Sequence, residues 1–323
     1  MPVILLTNHY DGKPLRIIKE ALPSGFNLVC LHKAEKNELL SKAGQAEYLL
    51  ASGRIPIDRD VLEAASKLKM IQRTGVGLDS LDLDGIKERN IPIYVNQGIN
   101  SRSVAEHTIL LMLATLRRLP VVNANVKNGR WEKQKQGVEN YELYGKTVGL
   151  IGMGNIGRAV AKMLGVFGAK VLYYDPLQLA DDVENALGIR YTPLVELMQQ
   201  VDIVSLHCPL TAQTLKLIGK EQLALMKNGA IVINTARGGL IDEEALIQCL
   251  QSGQVATAGL DVYNEEPLAK NNPLLMLDNV ILTPHIGGIT YDSFHAMMIE
   301  AMNNMRLFEE GKLEQIANKR WKI

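Results

Sequence analysis

Three glycines, Gly152, Gly154 and Gly157, stand at G-x-G-x-x-G spacing between two short apolar runs, and residues 147–175 constrain the fold more than any other stretch. The first run, 148–151, reads as a strand buried on both faces. A helical apolar pattern then starts at Ile156 and continues through Val160, Met163, Leu164 and Phe167. The second run, 171–174, ends on Asp175. Each glycine meets a demand that a side chain would block. Gly152 makes a tight turn, Gly154 lets backbone approach a pyrophosphate, and Gly157 lets helix and strand pack closely. The helix N-terminus offers unpaired N–H groups and a positive dipole end to the same pyrophosphate. Asp175 sits where a carboxylate accepts hydrogen bonds from an adenosine ribose. It would repel a 2′-phosphate, and Pro176, Leu177 and Gln178 supply no arginine to receive one, so the expected cofactor is NAD rather than NADP. A glycine-rich turn in an unrelated α/β protein shares the spacing alone. Strand, helix and terminal acid together favour the dinucleotide site.

A chain of 323 residues can form two domains with substantial cores. Its 35 basic and 35 acidic side chains cancel, so no electrostatic footprint for nucleic acid or an anionic membrane is visible. Cys30, Cys208 and Cys249 lie far apart, in no metal-ligand spacing, which fits a reducing compartment. The apolar start, residues 1–6, is too short for a signal peptide, and no run approaches the ~18 apolar residues of a membrane span. A cytoplasmic protein with no metal is expected.

Residues 1–98 alternate strands (3–6, 27–30, 48–51, 70–73, 91–95) with helices (14–21, 58–68, 83–88), the rhythm of a parallel sheet covered on both faces. The segment 73–77, Arg-Thr-Gly-Val-Gly, follows a strand and leaves backbone N–H groups open to an anion; a structural turn accounts for it equally well. Residues 97–100 read as a hinge. A capping-box pattern, Ser103 to Glu106, opens a helix ending near Pro120, so apolar all round that burial between domains or subunits is expected. Residues 127–144 are polar with no clear period and read as a connecting arm. The strand–helix rhythm then resumes, with further strands at 202–206, 230–234, 257–260 and 280–282. A joint at 286–288 precedes a last helix, 292–310, which is expected to pack back on the first domain. The expected fold class is therefore α/β, with two doubly wound parallel-sheet domains. A dinucleotide domain, 99–289, is inserted into a discontinuous partner, 1–98 and 290–323, with a cleft between them.

Candidate chemistry lies at predicted strand ends. Arg237 follows 230–234, Asp261 and Glu266 follow the strand ending at Leu260, and His285 follows 280–282. An arginine, a carboxylate and a histidine beside a nicotinamide are what hydride transfer to a carbonyl requires of a protein. Singly, each residue type at a strand end is more often an ion pair or a turn cap. His207 also sits at a strand end but has no acid nearby in sequence and reads as structural, as do His9, His32, His107 and His295.

On these residues the chain resembles the D-isomer-specific 2-hydroxyacid dehydrogenases. The resemblance rests on GLIGMGNIG (149–157), the acid of YYDP (173–176), INTARGG (233–239), GLDVYNEEP (259–267) and PHIGG (284–288), together with RTGVGLDSLD (73–82) and NSRSVAEHT (100–108). It implies a Rossmann NAD domain inserted into a flavodoxin-like substrate domain. It implies reversible reduction of a 2-oxo acid to a D-2-hydroxy acid, usually by a homodimer built on the first helix and arm of the nucleotide domain. By position, Arg237 would bind the substrate carboxylate and polarise the 2-oxo group. His285 would be the general acid of reduction, and Glu266 would favour its charged form. Val76 and Gly77 would complete the carboxylate site. The NAD site would draw on Thr108, Gly152, Gly154, Asn155, Ile156, Gly157, Asp175, Cys208, Thr235, Ala236, Asp261, His285 and Gly287.

Residues 127–149 look most like the phosphoglycerate dehydrogenase branch, yet Ala51 stands where that branch tends to place a phosphate-contacting arginine. Arg73 and Arg54 remain as nearby cations, and no counterpart of the longer enzymes' C-terminal regulatory module is expected. Hydroxypyruvate or glyoxylate reduction competes with phosphoglycerate oxidation, as does a bulkier 2-oxo acid. Glu266 argues against the formate dehydrogenases, which carry glutamine there. An NAD(H)-sensing, corepressor-like binding protein of the same fold is the alternative from another class.

Overall fold

The computed structural model describes residues 1–321. The chain forms two compact units, one of Met1–Asn100 with Thr290–Ile323 and the other of Ser101–Ile289.

The first unit contains β1 (Val3–His9), β2 (Asn27–Leu31), β3 (Tyr48–Ala51), β4 (Met70–Arg73) and β5 (Ile93–Tyr94). They form one parallel sheet in the order β2-β1-β3-β4-β5. That is the flavodoxin-like winding, with its reversal between β1 and β3. Alternate residues of a strand face opposite sides of the sheet. Leu5, Leu49 and Ile71 accordingly join one buried cluster, whereas Ile4, Leu6, Leu50 and Met70 join the other. The second cluster is closed by the final helix, Tyr291–Glu309, through Met297, Met298, Ala301, Met302 and Met305. Thr290 caps that helix by accepting the N–H of Ser293 at 3.1 Å.

The second unit contains β6 (Thr147–Ile151), β7 (Lys170–Tyr174), β8 (Ile189–Tyr191), β9 (Ile203–Leu206), β10 (Ala230–Asn234), β11 (Val255–Leu260) and β12 (Val280–Leu282). Its parallel sheet runs β12-β11-β10-β9-β6-β7-β8. This is the Rossmann winding with a seventh strand added at one edge, and it reverses between β6 and β9. Gly149 marks how tightly the layers close. A Cβ there would lie 2.5 Å from Leu197 Cδ2 and 2.8 Å from Val201 Cγ1.

Several expectations about helices need correcting. The helix expected to open at Ser103 starts two residues earlier, as Ser101–Leu116, so the Ser103–Glu106 pair lies inside it and Glu106 instead pairs with Arg102 at 3.0 Å. Pro120 does not end this helix. It occupies the first turn of the next one, Leu119–Lys127, where a missing N–H costs nothing. The first of these helices is buried inside its own unit, with Ala105, Ile109, Leu111, Met112 and Leu116 sharing a cluster with Val148, Leu150 and Val160. The arm that follows holds one short helix, Lys133–Gly137. In the first unit, the helix expected over 58–68 is shortened to Arg59–Ala64, with Asp58 as its cap. Among the described residues no single helix is long and apolar enough to cross a membrane.

Candidate active site

The glycine turn occupies the carboxyl end of β6, at the winding reversal of the second unit. Gly152 has φ of 102°, and its N–H donates to Tyr174 O at 2.8 Å. A Cβ on it would fall 2.6 Å from Cys208 N and 2.7 Å from His207 C, so the turn is pressed against the chain leaving β9. A Cβ on Gly157 would lie 2.1 Å from Gly152 O, which forces glycine where the helix Asn155–Val166 crosses the turn. Gly154 differs: the space where its Cβ would stand is open, and Gly154 and Asn155 are exposed at the helix N-terminus. Ile156 is half-buried behind them. The three glycines thus supply a tight turn, an open approach and a close crossing, the surface a pyrophosphate requires.

Asp175 ends β7 beside this turn. One carboxylate oxygen accepts the Met153 N–H at 2.8 Å and the other the Leu177 N–H at 3.0 Å, so its position is fixed by backbone. Cys208 lies on the other flank, where burial pushes its thiol up to about 11. Burial likewise drives His207 down to about 3; its Nε2 lies 3.0 Å from Ser205 Oγ, and it stays neutral in the interior.

Beyond β10 the chain turns at 234–237 under the control of Asn234, a buried residue. Its Nδ2 donates to Arg237 O at 2.8 Å and its Oδ1 accepts the Ala236 N–H at 3.0 Å. Arg237 is half-buried, and its Nη1 donates to Ala236 O at 2.6 Å. Gly238 then passes against the next loop so closely that a Cβ would lie 2.0 Å from Tyr263 C. That approach puts the Arg237 turn beside the loop carrying Glu266. Thr235 donates to Thr108 Oγ1 at 2.9 Å, because the single Thr108 hydroxyl proton is given to Val104 O at 2.8 Å.

Glu266 and His285 meet directly. His285 Nδ1 is 2.7 Å from Glu266 Oε2, while Glu266 Oε1 accepts the Tyr263 N–H at 3.1 Å. A carboxylate only accepts, so Nδ1 carries the proton and Nε2 is left for other chemistry. Burial raises the Glu266 carboxyl, but the His285 bond and charge, the Tyr263 N–H and the Arg237 charge outweigh it and hold the group below the ordinary carboxylate value. His285 has φ of 55°, a left-handed conformation that non-glycine residues seldom adopt and that costs of order 1 kcal/mol.

Asp261 explains how that conformation is held. It accepts the N–H of Ile286 at 3.0 Å and of Gly287 at 2.8 Å, and the Thr283 hydroxyl at 2.6 Å, so it grips the chain on both sides of His285. Thr283 spends its proton on Asp261, so it accepts from His107 Nε2, 3.0 Å away. Burial raises the Asp261 carboxyl, and the His107, Thr283, Gly287 and Ile286 donors more than reverse this. A Cβ on Gly287 would stand 2.9 Å from Asp261 Oδ2 and 3.1 Å from His107 Cδ2.

Within the second unit, therefore, the Arg237 turn, Glu266 and His285 converge, and Thr108, Thr235, Asp261 and Gly287 build the frame beneath them. Ala236 is half-buried within the Arg237 turn. Asn234, Gly238, Tyr263 and Thr283 carry no pattern in the sequence that sets them apart, and His107 belongs to the frame of the site, where its sequence position alone indicates an ordinary structural histidine. Val76 and Gly77 belong to the first unit, on the loop after β4. Val76 is exposed, and Gly77 O accepts Arg73 Nε at 2.8 Å. Among the described residues no group of three or more His, Cys, Asp or Glu side chains could hold a metal ion.

Comparison with known proteins identifies the family. A family model described as "D-isomer specific 2-hydroxyacid dehydrogenase, NAD binding domain" matches residues 109–287. The chain is 42% identical over 285 residues to a D-3-phosphoglycerate dehydrogenase of Methanocaldococcus jannaschii, covering 88% of this chain and 54% of that one. It is 41% identical over 278 residues to a hydroxypyruvate reductase of Thermotoga maritima, covering 85% of this chain and 88% of the other. The chain thus spans about half the length of the phosphoglycerate dehydrogenases it matches. Among solved structures, a D-lactate dehydrogenase of Aquifex aeolicus complexed with NAD and lactic acid superposes with a TM-score of 0.85 at 32% identity, covering 98% of each chain. These similarities give no support to the corepressor-like alternative.

Proposed function

Since the chain belongs to the D-isomer-specific 2-hydroxyacid dehydrogenase family, with residues 109–287 as the family's NAD-binding domain, we propose that it interconverts a 2-oxo acid and a D-2-hydroxy acid with NAD. The observation that carries this reading is the 2.7 Å pairing of His285 with Glu266 beside the Arg237 turn. Residues 99–289 serve as the cofactor domain, and 1–98 with 290–323 as the substrate domain. The open Gly154 and the exposed helix N-terminus fit a pyrophosphate, and Asp175 fits an adenosine ribose. Cys208, Thr235, Ala236, Asp261 and Gly287 line or support the remainder.

When bound, NAD supplies or takes the hydride. Everything else falls to side chains. Arg237 holds the substrate carboxylate and draws electron density from the 2-oxo oxygen, for which a planar guanidinium is well shaped. Val76 and Gly77 contribute backbone to the carboxylate. His285 gives the proton from Nε2 to the carbonyl oxygen in reduction and removes it in oxidation. Glu266 accepts Nδ1–H throughout, which fixes the ring and stabilises its positive charge.

The candidate substrates are phosphohydroxypyruvate with 3-phosphoglycerate, and hydroxypyruvate or glyoxylate. The protein acts in the cytoplasm as a homodimer. The dimer is favoured by the exposed arm, on which Trp131, Val138, Tyr141 and Tyr144 are 81%, 79%, 59% and 76% accessible. NADH consumption across a panel of 2-oxo acids that includes phosphohydroxypyruvate tests the activity. Turnover of at least one member with a D-configured product supports it, and NADH binding without turnover of any member contradicts it.

A further inference from the structure

Arg73 ends β4, one strand beyond the winding reversal of the first unit, and it is only 7% exposed. A buried guanidinium must spend its donors on partners. Its Nε donates to Gly77 O at 2.8 Å, and its Nη1 to Ser80 Oγ at 3.3 Å. Gly53, at φ of 88°, leaves the room, because a Cβ there would lie 3.0 Å from Arg73 Nη2. The start of the same loop is held as well. Asn96, 1% exposed, donates from Nδ2 to Thr74 O at 3.2 Å and to Met297 O at 2.9 Å, while its Oδ1 accepts from Gln72 Nε2 at 3.1 Å.

These bonds fix directions. Across a trans peptide the carbonyl and the following N–H point opposite ways. Drawing Gly77 O inward aims the Leu78 N–H outward, and holding Thr74 O does the same for the Gly75 N–H. The Gly75 and Leu78 amides thereby bracket Val76 and Gly77 in a glycine-bearing turn, and N–H groups facing out of such a turn suit an anion.

Resting on the proposed 2-oxo acid reaction, we propose that Arg73 is a positioning residue for the substrate-carboxylate loop rather than a ligand for a substrate phosphate. Recognition by this loop then depends on the carboxylate shared by all 2-oxo acids, and Arg73 acts on every one of them through backbone amides.

The test compares Arg73→Met and Arg73→Lys with the wild type by steady-state kinetics on glyoxylate, hydroxypyruvate and phosphohydroxypyruvate, and by hydrogen exchange of the amides of residues 75–78 without substrate. The expected result is a KM raised about tenfold or more for every substrate the wild type uses, the size of one lost charge-assisted hydrogen bond, with a smaller change in kcat. The loop amides exchange faster in both variants, and Lys recovers part of the protection. A loss confined to phosphohydroxypyruvate, with loop exchange unchanged, overturns the proposal. Ser80→Ala, which removes only the Nη1 acceptor, provides the second variant should Arg73→Met fail to fold. It is expected to speed exchange at 77–80, and unchanged exchange there counts against the clamp. If the wild type turns over no member of the panel, the enzymatic reading fails while the exchange data still decide whether Arg73 holds the loop.

Discussion

Asp261 and His285 are joined through backbone: the carboxylate of Asp261 takes the N–H groups of Ile286 and Gly287 at 3.0 and 2.8 Å, directly after the left-handed residue at φ of 55°. The imidazole is thereby presented to Glu266 by a turn that a charged, buried acid holds shut. Three hydrogen bonds converge on that one acid, and His107 adds to them from the helix Ser101–Leu116 by way of Thr283.

That arrangement sets an acid limit on stability. The Asp261 carboxyl titrates lower in the folded chain than its ordinary value of 3.8. Its contribution is therefore fully present above about pH 4 and is lost as pH falls through the lower folded value. Asp261→Asn is expected to cost about 1–3 kcal/mol at neutral pH, through donors left without a charged acceptor, and to flatten the acid limb of a melting-temperature profile between pH 7 and 3. A variant limb parallel to the wild type's would show that Asp261 does not carry this dependence.

Glu266→Gln keeps an acceptor for Nδ1–H but removes the charge. Turnover of the 2-oxo acid is expected to fall about a hundredfold or more, with NADH affinity close to that of the wild type. Fluorescence titration of NADH alongside steady-state rates separates the two effects. Equal losses in both would place Glu266 in the cofactor site instead.

Gly238→Ala tests the close crossing of the Arg237 and Glu266 loops. The new methyl would sit 2.0 Å from Tyr263 C, so backbone has to move. A loss of about 1–3 kcal/mol in stability and about a hundredfold in kcat is expected, since small misplacements of catalytic groups are costly. Chemical denaturation and rate measurements on the same sample check both, and wild-type turnover would mean that the spacing of these loops is unimportant.

For Asp175→Ala, affinity for NADH should drop about tenfold while the NADPH-to-NADH preference rises, because the repulsion against a 2′-phosphate is gone. The ratio of KM values for the two cofactors reads this out. An unchanged ratio would remove Asp175 from cofactor selection.

Much of the fold was legible because its signals are local. The runs at Tyr48–Ala51, Met70–Arg73, Ala230–Asn234 and Val280–Leu282 have the bounds expected from sequence, since a short run with an apolar start, bounded by turn residues, suits a strand of a covered parallel sheet. The helix Lys36–Ala43 has no apolar period to mark it, because five of its eight residues are charged or polar and only Leu39 and Ala43 are buried. The edge strand Ile189–Tyr191 is too short, and buried at one position only, to show a period. At the site, Arg237, Glu266 and His285 are legible because each lies on the loop that leaves a recognisable strand. His107 is not. Its role depends on Thr283, 176 positions away along the chain, and no local pattern reports that contact. Gly238 was equally silent, since its necessity lies in the Tyr263 backbone against it rather than in its own conformation.

His285 is the proton donor and acceptor of the proposed reaction, and the most direct measurement of that role is the turnover of His285→Ala on the best 2-oxo acid together with its NADH dissociation constant. Turnover is expected to fall by about a thousandfold, within the range for losing a general acid, with NADH binding preserved. Retained turnover, or turnover lost only in step with NADH binding, would contradict it.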